Sequence, residues 1–246
     1  TNNCELQNNF NKANNTSKTN NNIINLIKKN IDYAYPYTDL TKIPSKLGVS
    51  DIVKKELNSK YAFEKRPKIF YKNGLTSAEK GNIIHKFMQF SDYNNAKNNI
   101  NLECERLLKL EFISKEEYDN LDRKKLSDFF NSKLYHLIES SKKIHREVRF
   151  VYPIAIKQLG YSVNNNKNNI IVQGVADCVI ENEKEIIIID YKTDKINNIN
   201  ELAEKYKSQL LIYQQALSKI FYKPSNKAII YSFCINKYCV IKQLTP

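Results

Sequence analysis

No stretch of the 246-residue sequence approaches the run of about 18 apolar residues that crossing a bilayer requires, and its start carries Asn, Thr and Lys in place of a charged-then-apolar leader. Neither a membrane span nor a secretory signal is expected, and a cytoplasmic setting is. The five cysteines, at positions 4, 104, 178, 234 and 239, are odd in number and lack C-x-x-C spacing, which argues against both a disulfide framework and a zinc site. Histidine is scarce, at 85, 136 and 145 only, and no internal repeat is visible. What is present is 41% hydrophobic content, enough for a sizeable core, and a formal charge of +13. That charge favours a polyanionic partner, nucleic acid before an anionic membrane surface. By itself it marks no site, because many lysines stand beside asparagines in solvated runs such as NNNKNN.

Residues 1–34 read as an Asn-rich linker leading into a short helix at IINLIKKNI, as if cut from within a longer protein, with the domain proper over 35–246. An extended, Pro-containing stretch, YPYTDLTKIP, precedes a helix expected to open with Ser50 as N-cap. AEKGNIIHKFMQFS (78–91) has helical apolar spacing, and 101–146 reads as several charged amphipathic helices. Strands are expected at 147–156, 170–180, 185–193 and 227–235, with YCVIKQL as a possible hairpin partner of the last and a helix at 199–221 between the third and fourth. Helices, three strands, a helix and a strand make an α/β sandwich on a mixed sheet.

The stretch IIIIDYKTDK (186–195) sets four isoleucines, a buried strand, against a cluster of ionisable groups. By strand alternation Asp190 and Lys192 share the face of Ile186 and Ile188. If the short turn ENEKE centres on Glu183 and Lys184, paired residues sum to 367, as 177 and 190 do. Asp177 and Asp190 would then face each other with Cβ atoms about 4.5 to 5.5 Å apart. Opposed like charges need compensation, and a hard divalent cation such as Mg²⁺ supplies it. Either aspartate alone reads as a fraying strand end, but Asp177 lies inside GVADCVI, where no turn signal stands. Lys192 is either a countercharge to Asp190 or a group that orients or deprotonates water, or steadies a phosphoryl oxygen.

On the helix at 199–221 the apolar stripe passes through Leu202, Tyr206, Tyr213, Leu217 and Ile220. Gln209 falls within about 40° of three of these and must find a partner, a backbone group or the site, with Tyr213 one turn away. His85 projects off the apolar face of Ile83, Ile84, Phe87 and Met88. Gly81 lies one turn before it, and its missing side chain would leave room for a metal or a DNA strand.

In order along the chain, PSKLGVSDIVK, GNIIHKFMQF (G-x-x-x-H), REVRF, GVADCVI (G-x-x-D), IIDYKTD and YKSQLLIYQQAL (Q-x-x-x-Y) resemble the PD-(D/E)XK nuclease superfamily, in particular its RecB-type domain in AddA helicase-nucleases. The resemblance implies a restriction-endonuclease-like core, a central mixed sheet flanked by helices, with N-terminal helical additions. It implies metal ligation by His85, Asp177, Asp190 and the Tyr191 carbonyl, with Lys192 catalytic, Glu147 an accessory acid, and Gln209 and Tyr213 supporting the site and DNA contact. Mg²⁺, or Mn²⁺ in its place, would be the cofactor. The cysteines lack the spacing that holds an iron-sulfur cluster in AddB. No G-x-x-x-x-G-K-[ST] occurs, so ATP would act only through a motor outside this chain. Further implications are single-stranded DNA as main substrate, exonucleolytic double-strand break processing, an AddB-like second subunit, and a bacterial, nucleoid-associated location. A stand-alone RecB-like nuclease and a catalytically silent DNA-binding module are the alternatives.

Overall fold

The computed structural model describes residues 23–33, 38–60, 75–161 and 168–242. The chain divides into two compact units, Thr1–Pro44 and Ser45–Pro246. In the first, the described residues form helix α1 (23–31) and a single turn, α2 (Thr38–Thr41).

The second unit opens with a three-residue strand, β1 (Lys46–Gly48), running directly into α3 (Val49–Lys60). Ser50 thus lies inside the first helical turn, not at the N-cap. Helix α4 (Ser77–Phe90) starts at a capping box: the Glu79 N–H donates to Thr76 Oγ1, and the Thr76 N–H donates to Glu79 Oε2. Short helices α5 (Tyr93–Asn98), α6 (Ile100–Lys109), α7 (Lys115–Asn120), α8 (Arg123–Phe130) and α9 (Lys133–Glu139) follow. Strand β2 (Lys143–Ala155) begins earlier than its apolar pattern suggests, at residues expected to be helical, because Lys143 to Arg146 extend the ladder to the far end of β3 (Asn169–Glu181). Strand β4 (Ile186–Lys192), helix α10 (Ile199–Ile220) and the hairpin β5 (Lys227–Ser232) and β6 (Lys237–Lys242) complete the unit.

The sheet is mixed. Strand β3 pairs with β2 along one edge; its other edge is shared by β1, parallel at Ile171–Gln173, and β4, antiparallel at Cys178–Glu181. Strand β5 is parallel to β4, and β6 antiparallel to β5. The four isoleucines divide as strand alternation requires. Ile187 and Ile189 enter the core under α4–α9, while Ile186 and Ile188 enter the core under α10 and α3. The Cys178↔Ile189 to Glu181↔Ile186 pairing has the sum of 367 expected from the turn. Residues 174–177 lie between the two partial ladders on that edge, so the sheet forks there. Among the described residues no helix is long and apolar enough to cross a membrane.

Candidate active site at the fork of the sheet

The last β3–β4 pair is Cys178↔Ile189, and the chain positions just beyond it are Asp177 and Asp190. Where the strands separate, the backbone loses a ladder partner and a side chain replaces it: the Tyr191 N–H donates to Asp177 Oδ2 at 2.7 Å. Asp177 Oδ1 lies 3.3 Å from Nδ1 of His85, which α4 brings in from the covering layer. Glu147 falls opposite Asp177 in the β2–β3 register, between Arg146↔Cys178 and Val148↔Ala176, and has a left-handed φ of 52°. Inward packing changes face at this point: Cys178 joins the α4-side core, whereas Ala176 and Val148 pack on the α10 side. A left-handed residue in mid-strand is uncommon and costs energy, and such residues gather at functional sites.

Asp190 is 1% exposed. Its Oδ1 accepts from Gln209 Nε2 at 2.8 Å, and the same amide reaches the Tyr213 hydroxyl at 3.0 Å. Gln209 is therefore satisfied by the site and not by the backbone. Lys192 Nζ stands 2.7 Å from Asp190 Oδ2, so each oxygen of this buried carboxylate has its own partner. Burial pushes the Asp190 carboxyl up to about 6, with the Lys192 charge opposing and the Asp177 charge adding. Burial lowers the pKa of Lys192, but the charges of Asp190 and Asp177 outweigh it, and the ammonium ends above its ordinary value. For His85 burial again works downward, and the hydrogen bond and charge of Asp177, with the charge of Asp190, win. Glu147 is raised by burial and by Asp177.

Two glycines owe their place to close packing. A Cβ on Gly81 would meet Thr193 Oγ1 at 2.4 Å, so the space beside Gly81 is filled by the residue that follows β4 and is not open to a metal or a strand of DNA. A Cβ on Gly174 would meet the Phe150 ring at 2.6 Å and Tyr213 Cε1 at 3.0 Å, and those rings pack edge to face. Gly174 thereby lets α10 bring Tyr213 and Gln209 to Asp190.

Tyr206 has a role that the apolar stripe concealed. Its ring lies 4.2 Å below Lys192 Nζ, and its hydroxyl donates to Asp194, which also pairs with Lys205 at 2.6 Å. The signal was Tyr206 standing three residues before Gln209, on the same face. Ile220, placed in that stripe from the sequence, is 43% exposed at the end of α10. Among the described cysteines, Cys104 and Cys178 are buried in the core, their thiols pushed by burial up to about 11 and about 12.

The donor set suits a divalent cation: the carboxylates of Asp177 and Asp190, with the His85 imidazole beside Asp177. In this conformation no three His, Cys, Asp or Glu side chains among the described residues converge as a finished cage. Asp190 is turned toward Lys192 and Gln209, and Asp177 toward His85 and the Tyr191 amide.

A model of the PD-(D/E)XK nuclease superfamily matches residues 59–238. The AddA-type polypeptide of the ATP-dependent helicase/nuclease of Clostridium botulinum (strain 657 / Type Ba4) is 32% identical over 230 residues, covering 87% of this chain and 18% of the relative. Its counterpart from C. botulinum (strain Alaska E43 / Type E3) is 33% identical over 239 residues, covering 87% and 19%. The chain thus spans about a fifth of the length of these curated relatives. A solved structure, that of SSO0001, covers 78% of this chain and 75% of its own at 16% identity and a TM-score of 0.31, too slight a likeness to argue from.

Proposed function

Because the chain belongs to the PD-(D/E)XK nuclease superfamily and is similar to the nuclease region of AddA, we propose that the fork of the sheet hydrolyses phosphodiester bonds of single-stranded DNA. The observation that carries this reading is the convergence of Asp177, Asp190 and Lys192 at the fork, with Gln209 and Tyr213 bracing Asp190 from α10. His85, Asp177, Asp190 and the Tyr191 carbonyl would hold a Mg²⁺ or Mn²⁺ ion, which when bound neutralises phosphate charge and makes a water more acidic.

The chain's own groups then have distinct tasks. Lys192, 2.7 Å from Asp190 and held over the Tyr206 ring, is placed to steady the phosphate oxygens or to orient the attacking water. Glu147, raised by burial and Asp177, is the carboxylate suited to take the proton of the attacking water. Water attacks phosphorus, one P–O ester bond breaks, and the leaving oxygen takes up a proton, giving a phosphomonoester and a free hydroxyl. Gln209 holds one oxygen of Asp190, and the Tyr191 amide holds one oxygen of Asp177, which leaves the other oxygen of each to turn to the ion.

In the full-length polypeptide this domain would receive a strand from an ATP-driven motor and act with an AddB-like subunit in exonucleolytic double-strand break processing, in the bacterial cytoplasm at the nucleoid. The test is cleavage of labelled single-stranded and duplex DNA by the 246-residue chain, with Mg²⁺ or EDTA. Metal-dependent cutting of single strands that disappears in Asp190→Ala and Lys192→Ala is expected; binding without cutting in every condition overturns the reading for this chain and favours a silent DNA-binding module.

A further inference from the structure

Around the fork the cations are nearly all committed. Lys192 pairs with Asp190, Lys86 with Glu117 at 2.7 Å, and Lys205 with Asp194. The Arg146 guanidinium donates to the carbonyls of Met88 and Ser91 and lies over the Tyr93 ring. Arg149 differs. It makes no hydrogen bond or ion pair among the described residues, is exposed, and feels Glu147 only through space. It also lines a cleft of about 680 Å³ that runs from the fork, through Glu147 and Tyr213, to Ser50 at the start of α3 and to Gln173 and Gly174, where the β1–β3 ladder ends.

We propose that this cleft is a subsite for the phosphodiester next to the scissile one, with Arg149 as its cation; the proposal rests on the nuclease reading above. A strand bound at the fork must pass three carboxylates, Asp177, Asp190 and Glu147, and its next phosphate needs a counter-charge beyond them. Arg149 is two residues from Glu147 on the same strand, a Cα separation of about 6.6 Å along β2, which one backbone repeat of an extended nucleic acid strand spans. The guanidinium projects from the sheet face opposite Phe150, where its cross-strand partner Val175 and its neighbour Val151 are 36% and 61% exposed. Among the described residues no helix covers this stretch, so the strand reaches Arg149 without displacing them. An unpaired, planar guanidinium suits bidentate hold of a phosphate oxygen pair, and one contact of this kind is recognised by charge without base preference.

The experiment compares the 246-residue chain with Arg149→Ala and Arg149→Lys, using a labelled single-stranded oligonucleotide and bis(p-nitrophenyl) phosphate, which carries one phosphodiester and no neighbour. Arg149→Ala is expected to raise KM for the oligonucleotide about tenfold, with a smaller loss on the minimal substrate and partial recovery in Arg149→Lys. In metal-free binding by fluorescence anisotropy, the slope of log K against log salt should shrink by about 0.7. An equal loss on both substrates, or an unchanged KM and salt slope, overturns the subsite. Loss of cutting in the wild type with the Arg149 effect on binding intact keeps the subsite and removes the nuclease reading. Failure of the wild type to bind the oligonucleotide removes both.

Discussion

Strand β3 is two different environments on one strand. Its inner half, Cys178–Ile180, is fully buried on both faces, under α4–α9 on one side and α10 on the other. Its outer half buries Ile170, Val172 and Ala176 on the α10 side and leaves Ile171, Gln173 and Val175 exposed on the other. The inner half has the all-apolar sequence of a doubly covered strand, and the outer half has alternation. The catalytic candidates occupy the boundary, where two-sided burial ends, the ladder to β4 ends, and the partly exposed Asp177 and Glu147 stand beside a buried Asp190. Acidic groups on the β2–β3 ribbon show the same division. Glu181, at the inner end, is drawn down to about 2 by hydrogen bonds from Lys223 and His145 and the charge of Lys143, whereas Glu147, at the boundary, is raised by burial and Asp177.

The largest test of this division is catalytic. Asp190→Ala and Lys192→Ala should each lower kcat for single-stranded DNA by about a thousandfold or more, while the variants stay folded by circular dichroism. Next is the packing contrast. Ile188→Ala, in the doubly covered region, should lose about 2 to 5 kcal/mol in urea melts, and Val175→Ala, on the bare face, within about 0.5 kcal/mol. Equal losses would mean the outer half is as covered as the inner.

Gly174→Ala joins the two halves. It should cost about 1 to 3 kcal/mol by overpacking Phe150 and Tyr213, and lower kcat as Tyr213 and Gln209 shift from Asp190. Tyr206→Leu, which removes the ring under Lys192, is expected to reduce kcat several-fold with KM nearly constant, and Tyr206→Phe, which keeps the ring, should restore most of it. A change in KM alone would show that Tyr206 serves substrate contact instead. The smallest effect is in pH. The folded pKa of Glu181 is depressed, so its contribution to stability is present above the unfolded value near 4.5 and is lost as pH falls toward 2. Glu181→Gln should flatten the fall in Tm across that window; a fall of undiminished steepness would place the acid sensitivity elsewhere.

Much of this was legible in the residues alone. The isoleucine run, the turn at Glu183 and Lys184 and the alternation rule were enough to set the β3–β4 register, because a short antiparallel turn fixes register by simple geometry; the ladder itself ends at Cys178↔Ile189, one pair short of Asp177 and Asp190. Local signals also set the type of most elements, since apolar periodicity and caps act within a few residues. Other features needed the assembled fold. That β1 and β4 share one edge of β3 depends on parallel pairing between segments distant in sequence, which no local pattern encodes. The left-handed Glu147, the contact of Gly81 with Thr193, the seat of Lys192 on Tyr206 and the exposure of Arg149 follow from which layers meet at the fork. The sequence by itself determined the chemistry available at the end of β4. Only the tertiary structure decided which groups are spent on one another and which remain for a ligand, because desolvation and pairing are properties of the packed whole.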